Sequence, residues 1–264
     1  SYMYDYSTWY YLYWYYYYFY FTYYTDPTKS STRLLINDGK GDFDNYSDYQ
    51  MPLPSGGDIL AGDDVVLGDI DGDGDIDIIV TGDGDNLRNP GAYEYTSGSK
   101  TRVLINDGDG YFTDNTSSLM PSPAVNDDWG GVGVGIGDLD GDKVAEIVIT
   151  TDRQIFDDAP GQVTLSSTRV FQKSGSSFVD ATKKFMPAVR TDGQGDLFQG
   201  VAIAVGDPDG NGVDEILILL DRDVFVENPN SGTFTKQISS LRWFTKTKDL
   251  PLKNATESQL PDPS

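Results

Sequence analysis

The feature that most limits how this chain can fold is a repeat of 69 residues. The sequence GDIDGDGDIDIIV, which begins at Gly68, returns as GDLDGDKVAEIVI from Gly137 and as GDPDGNGVDEILI from Gly206. A second motif, TRLLINDGKGDF from Thr32 and TRVLINDGDGYF from Thr101, keeps the same interval. Motifs that recur in phase are typical of repeat architectures, in which each unit is one supersecondary structure packed on its neighbours.

Each unit is predicted to contain four short β-strands, named here strands A to D in chain order. An apolar run before the aspartates is strand A, and a β-branched run after them is strand B. The RVLIND type of run is strand C, and strand D follows a Gly-rich hairpin. No long stretch has the 3.6-residue period of an amphipathic helix. The sequence therefore predicts an all-β fold, a β-propeller-type array of four-stranded blades.

The predicted repeat domain covers residues 1–240, and an extended C-terminal tail is expected at 241–264. The domain is expected to hold about four units, of which the first lacks its strand A. Strand C of the last unit is expected at VFVENPNSGTF from Val224, so the preceding connection, Asp221 to Asp223, is very short. The units are expected at about 1–52, 58–121, 127–187 and 196–240.

Charge and composition exclude several classes of protein. The chain has 42 acidic and 19 basic residues, a net charge of -23, so nucleic acid and anionic membrane surfaces would repel it. No apolar run approaches the ~18 residues of a membrane-spanning helix, and we expect no membrane insertion. With neither His nor Cys, the commonest general base and thiol chemistry are missing, and we expect no enzyme. The chain begins at Ser1 without Met or a signal-like segment, which indicates a processed or partial sequence.

The aspartates of the repeated motif have the spacing of a cation-binding loop. Counted from the first aspartate, carboxylate or amide side chains occupy positions 1, 3, 5 and 9, and position 7 can offer its backbone carbonyl. Oxygen ligands without His or Cys select a hard cation, and several carboxylates favour Ca²⁺ over Mg²⁺. An EF-hand would need a carboxylate at position 12, where Val80, Ile149 and Ile218 stand. The predicted ligands are Asp69, Asp71, Asp73, Asp75 and Asp77 in the first loop, Asp138, Asp140, Asp142, Val144 and Glu146 in the middle loop, and Asp207, Asp209, Asn211, Val213 and Glu215 in the last loop.

These motifs resemble the FG-GAP/VCBS repeats of integrin-type β-propellers. The likeness rests on the D-x-D-x-D-G-x-x-D loop after a VxxGD run and on the INDGDGxF hairpin, and it covers roughly residues 30–240. It implies that each loop joins strands A and B and holds a structural Ca²⁺, which gives about three ions per chain. The sequence departs from the family pattern at Lys143, where glycine is usual, and at Glu146 and Glu215 in position 9.

Three N-x-S/T sequons, at Asn45, Asn115 and Asn254, are candidate glycosylation sites. Occupancy of a sequon requires a secretory route. Together with the predicted Ca²⁺ loops, the sequons favour an extracellular glycoprotein, either secreted or at the cell surface.

The segment WYYLYWYYYYFYFTYY, Trp9 to Tyr24, is aromatic at 14 of its 16 positions. Three interpretations stay open. The segment is a self-association strand, or it is an adhesive or glycan-stacking platform, or its letters stand for bulky residues whose identity was not determined. A first unit without strand A, and a tail that matches no strand A, predict unpaired strand edges that a neighbouring copy could fill. We therefore expect a homo-oligomer or filament, formed through the N-terminal aromatic segment or the C-terminal tail.

The sequence thus predicts a calcium-stabilised structural or adhesive repeat protein, a self-associating subunit of a surface assembly or fibre. One alternative is a carbohydrate-binding, lectin-like propeller that uses the long connections between strands B and C, Gly82 to Lys100 and Asp152 to Thr168. A polysaccharide-cleaving enzyme is a third alternative, because carboxylate pairs act as catalytic acids in glycosidases. Nearly every clustered carboxylate is, however, already assigned to a metal loop. The ligand, and whether the blades close a ring within one chain, stay open.

Overall fold

The computed structural model is all-β in the part of the chain that it describes, apart from three single-turn helices, which confirms the predicted fold class. The aromatic segment Trp9 to Tyr24 lies outside the described residues. The backbone alone is described for residues 155–156, 163–165, 223–227, 234–238 and 254. The described residues are 32–52, 62–82, 101–122, 129–151, 155–156, 163–165, 167–188, 198–219, 223–227, 234–238, 241–246 and 250–254.

The first unit contributes a two-stranded antiparallel sheet, β1 (Leu35–Asn37) and β2 (Phe43–Asn45). A single helical turn follows, α1 (Ser47–Gln50). The two strands are the C and D strands predicted from the TRLLINDGKGDF motif, and the described part of this unit contains no strand A.

The second unit is a complete blade with the predicted strand order. Its four antiparallel strands pair in chain order, so each strand is adjacent to the one that follows it. The strand after the aspartates is buried along its whole length, which explains why its sequence is continuously apolar rather than alternating. The elements are β3 (Asp64–Gly68), β4 (Asp77–Thr81), β5 (Arg102–Asn106), β6 (Phe112–Asp114) and α2 (Thr116–Leu119).

The third unit repeats this blade and adds a hairpin between its strands B and C. The hairpin, β9 and β10, lies in the predicted long connection and forms a separate two-stranded sheet. The other four strands form the blade in the order A, B, C, D. The elements are β7 (Gly133–Gly137), β8 (Glu146–Thr150), β9 (Ile155–Phe156), β10 (Val163–Leu165), β11 (Thr168–Ser174), β12 (Ser177–Asp180) and α3 (Thr182–Phe185).

The fourth unit is also a complete blade, and it reaches into the residues predicted to be a tail. Its sheet has the order β13-β14-β17-β18, and β15 pairs with β16 in a separate hairpin. The elements are β13 (Ala202–Gly206), β14 (Glu215–Leu219), β15 (Asp223–Glu227), β16 (Phe234–Ile238), β17 (Leu241–Thr245) and β18 (Lys253–Asn254).

The strand assignment predicted for the last unit is therefore wrong. The segment from Val224 forms the inserted hairpin, strands C and D are β17 and β18, and the unit does not end at residue 240. The physical reason is the register of strand B with strand C. Arg242 pairs with Ile218 as Arg169 pairs with Ile149. The segment LRWFTK therefore pairs with strand B of the fourth unit in the register that TRV has in the third unit. The connection after strand B in this unit is long rather than three residues.

The three complete blades pack through their A strands, with β7 lying between β3 and β13. Glycines make this close approach possible. A Cβ built on Gly68 would lie 2.1 Å from Ile136 Cδ1, and one on Gly135 would lie 2.5 Å from Val205 Cγ2. Each contact sets a small residue of one blade against a branched residue of the following blade.

The hydrophobic core is continuous across neighbouring blades as well as within each one. One cluster joins the second and third blades, and another joins the third and fourth. Trp129 meets Phe171 edge-to-face at 4.8 Å, and the equivalent pair Phe198 and Phe244 repeats the geometry at 5.1 Å. Among the residues predicted to form a C-terminal tail, Leu252 is only 1% exposed, and its N–H donates to the Phe185 carbonyl at 2.7 Å. The blades thus form a continuous frame that fixes the loops at one end of each A–B hairpin.

Candidate metal centres

Three carboxylate clusters lie in equivalent loops, between β3 and β4, between β7 and β8, and between β13 and β14. In each loop, the side chains at positions 1, 3 and 9 bring ligand oxygens within 4.8 Å of one another. The structure therefore brings together three of the four side chains predicted for each loop. The clusters are Asp69, Asp71 and Asp77; Asp138, Asp140 and Glu146; and Asp207, Asp209 and Glu215.

The carboxylate at position 1 shapes each loop by accepting backbone hydrogen bonds from it. Asp69 accepts from the N–H groups of Gly72 and Gly74, at 2.7 and 3.1 Å. Asp207 accepts from Gly212 at 2.7 Å, and this hydrogen bond is the main reason that its pKa is lowered. Because the same carboxylates hold the loop in a tight turn, their oxygens are fixed in place before any ion binds.

Position 6 of the loop has a left-handed backbone conformation. Gly74 and Gly212 have φ values of 96° and 83°, which glycine adopts without strain. The middle loop places Lys143 there with φ 70°, a conformation that costs a residue with a Cβ about 1–2 kcal/mol. Lys143, which stands where the family usually has glycine, therefore introduces local backbone strain into the middle loop.

Side chains at position 5 close the turn rather than joining the clusters. Asp73, Asp142 and Asn211 each accept the N–H of the residue two positions on, at 2.9, 2.8 and 2.8 Å. This is the Asx-turn expected of Asp and Asn in tight loops. A ligand role for these side chains, and for the backbone carbonyls of Asp75, Val144 and Val213 at position 7, stays a prediction.

The acid at position 9 is buried in every loop. Asp77 is fully buried, and its two oxygens accept from the N–H groups of Ile70 and Asn106, at 2.8 and 2.9 Å. Glu146 is also fully buried, and it accepts from the Leu139 N–H at 2.8 Å and from Gln172 Nε2 at 3.1 Å. These carboxylates lie at the base of strand B, where water cannot reach them.

Burial makes Glu146 and Glu215 unfavourable as free anions. It raises the pKa of Glu146 to about 7, with the Asp140 carboxylate acting in the same direction and the Leu139 N–H opposing it. Burial likewise raises the pKa of Glu215. The pKa of the more exposed Asp71 in the first loop is also raised, by partial desolvation and by the neighbouring carboxylates of Asp73 and Asp77. A bound cation would favour the ionised form of all three, so the donor set fits a metal ion.

Lysines from the next blade hold the backbone of two loops. Lys173 in β11 donates to the carbonyls of Ile70 and Asp71 in the first loop. Lys246, which directly follows β17, donates to the carbonyl of Asp140 in the middle loop. The two lysines occupy the same position, four residues after Arg169 and Arg242 in the two blades. The sequence did not predict Lys246 because the last strand C was assigned to another segment. It did not predict Lys173 because this contact runs from one blade to another and depends on the fold.

A third lysine is paired with the middle loop itself. Lys184 in α3 lies 2.8 Å from Asp140 Oδ2, and Gln172 Nε2 lies 3.0 Å from the same oxygen. Burial opposes ionisation of Asp140, but these two hydrogen bonds outweigh it and its pKa is lowered. The other carboxylate oxygen, Asp140 Oδ1, is buried and has no hydrogen-bond partner among the described residues.

The predicted glycosylation sites lie at the ends of the D strands. Asn45 is exposed at the end of β2, and its side chain accepts the N–H of Ser47 at 3.0 Å. Asn115 is half-buried in the turn before α2. Asn254 ends β18, and the placement of its side chain lies outside what the structure describes.

The blades and their loops define a repeat protein of the propeller type, with an acidic loop in each complete A–B hairpin. Residues 19–80 match the family model of the FG-GAP-like repeat. The match includes the hairpin of the first unit and the whole first loop, and the middle and last loops repeat its pattern. Residues 19–80 are therefore similar to an FG-GAP-like repeat, in agreement with the resemblance found in the sequence. None of the curated proteins compared with the chain matches it. None of the helices described is long and apolar enough to span a membrane.

Proposed function

We propose that this chain is an extracellular, Ca²⁺-stabilised structural or adhesive repeat protein without catalytic activity. The observation that carries the proposal is the threefold recurrence of one carboxylate cluster at the same place in successive blades. A single acidic cluster on a surface is common without a metal. Three copies, each built on a buried acid at the base of strand B, indicate a shared ligand.

Ca²⁺ would be held by the carboxylates at positions 1, 3 and 9, and it supplies positive charge to three groups that repel one another. Two unit charges at 4 Å repel by ~1 to 4 kcal/mol, depending on the local dielectric constant. Removing that repulsion stabilises the turn between strands A and B, so binding and folding are linked. All-oxygen ligation with several carboxylates favours Ca²⁺ over Mg²⁺.

The extracellular location is supported by the same loops. Ca²⁺ sites with exposed ligands, such as Asp69 and Asp71, suit the millimolar Ca²⁺ that extracellular modules use. FG-GAP-type repeats and the exposed sequon at Asn45 agree with a secretory route.

Calorimetric titration of metal-stripped protein tests the proposal. We expect three Ca²⁺ ions per chain and a melting temperature that rises by many degrees on binding. Asp140→Ala should leave two sites, whereas the matched change Asp109→Ala, in a hairpin outside the clusters, should leave three. Absence of any Ca²⁺ binding would overturn the proposal. Binding to a defined sugar on a glycan array would favour the lectin-like alternative, and cleavage of a polysaccharide would favour an enzyme.

We further propose that copies of the chain associate through the N-terminal aromatic segment, residues 1–24. The tail is the weaker candidate, because residues 241–245 and 253–254 pair within their own blade. Deletion of residues 1–24 should give a soluble monomer that keeps three Ca²⁺ sites. If the full chain sediments as a monomer at micromolar concentration with Ca²⁺ present, association through this segment is wrong.

A further inference from the structure

The three loops differ in the hydrogen bonds that the buried acid at position 9 accepts. In the first and middle loops, the residue at position 2 donates its N–H to one oxygen of that acid, at 2.8 Å from Ile70 and at 2.8 Å from Leu139. In the last loop, position 2 is Pro208. Because proline has no N–H, this hydrogen bond cannot form there.

The acid of the last loop is left with one oxygen unpaired. Glu215 is 2% exposed, and its Oε2 has no hydrogen-bond partner among the described residues. Its other oxygen, Oε1, accepts from Thr245 Oγ1 at 3.2 Å. A buried acceptor without a partner is unfavourable, and a carboxylate oxygen even more so.

The Glu215 carboxylate belongs to the metal cluster. A ligand oxygen of Glu215 lies within 4.8 Å of those of Asp207 and Asp209. Ca²⁺ readily accepts a carboxylate through both oxygens, and glutamate at the last position of a loop is a common bidentate ligand. An oxygen that already accepts a backbone N–H, as in the other two loops, is less available for this.

We infer that Pro208 makes Glu215 a two-oxygen ligand, and that the last loop is consequently the site where Ca²⁺ binding is most strongly coupled to the fold of its blade. The inference rests on the proposed function, since it requires that the loops bind Ca²⁺. It distinguishes three loops that the repeated sequence pattern makes equivalent.

Pro208→Ala tests the inference, because it restores the N–H at an exposed position. The new donor should satisfy Glu215 in the metal-free protein, raise its melting temperature, and weaken Ca²⁺ binding at the last loop about tenfold. If Pro208 served only to stiffen the loop, the change would lower the metal-free melting temperature instead. Thr245→Val is the matched change on the other oxygen, and it should lower the metal-free melting temperature without weakening Ca²⁺ binding.

Affinity at the last loop can be isolated with Asp71→Ala and Asp140→Ala together, which remove a ligand from each of the other two loops. Titration of the otherwise unchanged chain gives a second measurement, since Pro208→Ala should weaken one of three binding steps. If the unchanged chain binds no Ca²⁺, the proposed function is wrong. If it binds three ions and Pro208→Ala alters neither affinity nor metal-free stability as stated, the inference alone is wrong.

Discussion

The ammonium group of Lys173, in the third blade, donates a hydrogen bond to the backbone carbonyl of Asp71, a loop residue of the second blade. Lys246 of the fourth blade makes the same contact with Asp140 of the third. The first and middle loops are therefore held from outside by the blade that follows each of them. Asn106, at the equivalent position in the second blade, instead donates from its amide to Ile76 of its own loop.

Replacing Lys173 by Met should lower the free energy of unfolding by about 1 kcal/mol, because two backbone carbonyls lose a charged donor. Thermal denaturation at fixed Ca²⁺ concentration measures the change. Lys183→Met, at an exposed position on α3, is the control and should have little effect. Equal effects of the two substitutions would contradict a bracing role for Lys173.

The metal-free protein should lose stability as the pH rises from about 4.5 to about 7, the ordinary and the folded-state pKa of Glu146. In that window the folded state binds more protons than the unfolded state, so the free energy of unfolding falls with pH. The raised pKa of Glu215 acts in the same direction. The lowered pKa of Asp140 acts in the opposite direction, but only below its ordinary value of 3.8.

Urea denaturation at several pH values, with chelator present, measures this dependence. Glu146→Gln should reduce the slope, and saturating Ca²⁺ should remove most of it because the ion favours the ionised acid. Stability that increases with pH across this window in the metal-free protein would show that Glu146 is not the dominant group.

Lys143→Gly should stabilise the protein by about 1 kcal/mol, since glycine adopts the left-handed conformation at this position without strain. The reciprocal change in the first loop, Gly74→Lys, should destabilise by a similar amount. Chemical denaturation of both variants at saturating Ca²⁺ checks the pair. If both changes shift stability in the same direction, backbone strain does not explain the difference between these loops.

Gly135→Ala should destabilise the contact between the third and fourth blades by about 1–3 kcal/mol, because a Cβ there would lie 2.5 Å from Val205 Cγ2. Val205→Ala removes the opposing methyl groups. In the double variant the two effects should be less than additive, which a double-mutant cycle of unfolding free energies detects. Strict additivity would mean that the two residues are not in contact.

The sequence was sufficient to predict the blades, the loops and the acid at position 9, since each depends on a motif that recurs every 69 residues. It was not sufficient for the last blade. There the β15–β16 hairpin separates strands B and C, and Arg242 follows Arg169 by 73 residues instead of 69. The segment VFVENPNSGTF has the composition of a strand and a hairpin, so the local sequence pattern favours it as strand C. Only the pairing of β14 with β17 in the structure identifies β17 as strand C.

The inequivalence of the loops was also beyond the sequence pattern. The sequence shows that position 2 of the last loop is Pro208, but not that the N–H at this position faces the acid at position 9. Only the structure shows this, through the hydrogen bonds of the other two loops and the unpaired oxygen of Glu215. Likewise Lys184 follows the middle loop by many residues, and its pairing with Asp140 arises from the packing of α3 beside that loop.

The glycine-to-branched contacts between A strands have a further consequence. Gly68 faces Ile136, and Gly137, the equivalent residue one repeat later, faces Val205, in both cases from an earlier blade towards the next one. The neighbouring position is less uniform, since the second blade has Val66 where the third has Gly135. The array is nevertheless polar, because the glycine always belongs to the earlier blade of the pair. A blade added by gene duplication would keep this contact only in the orientation of its neighbours.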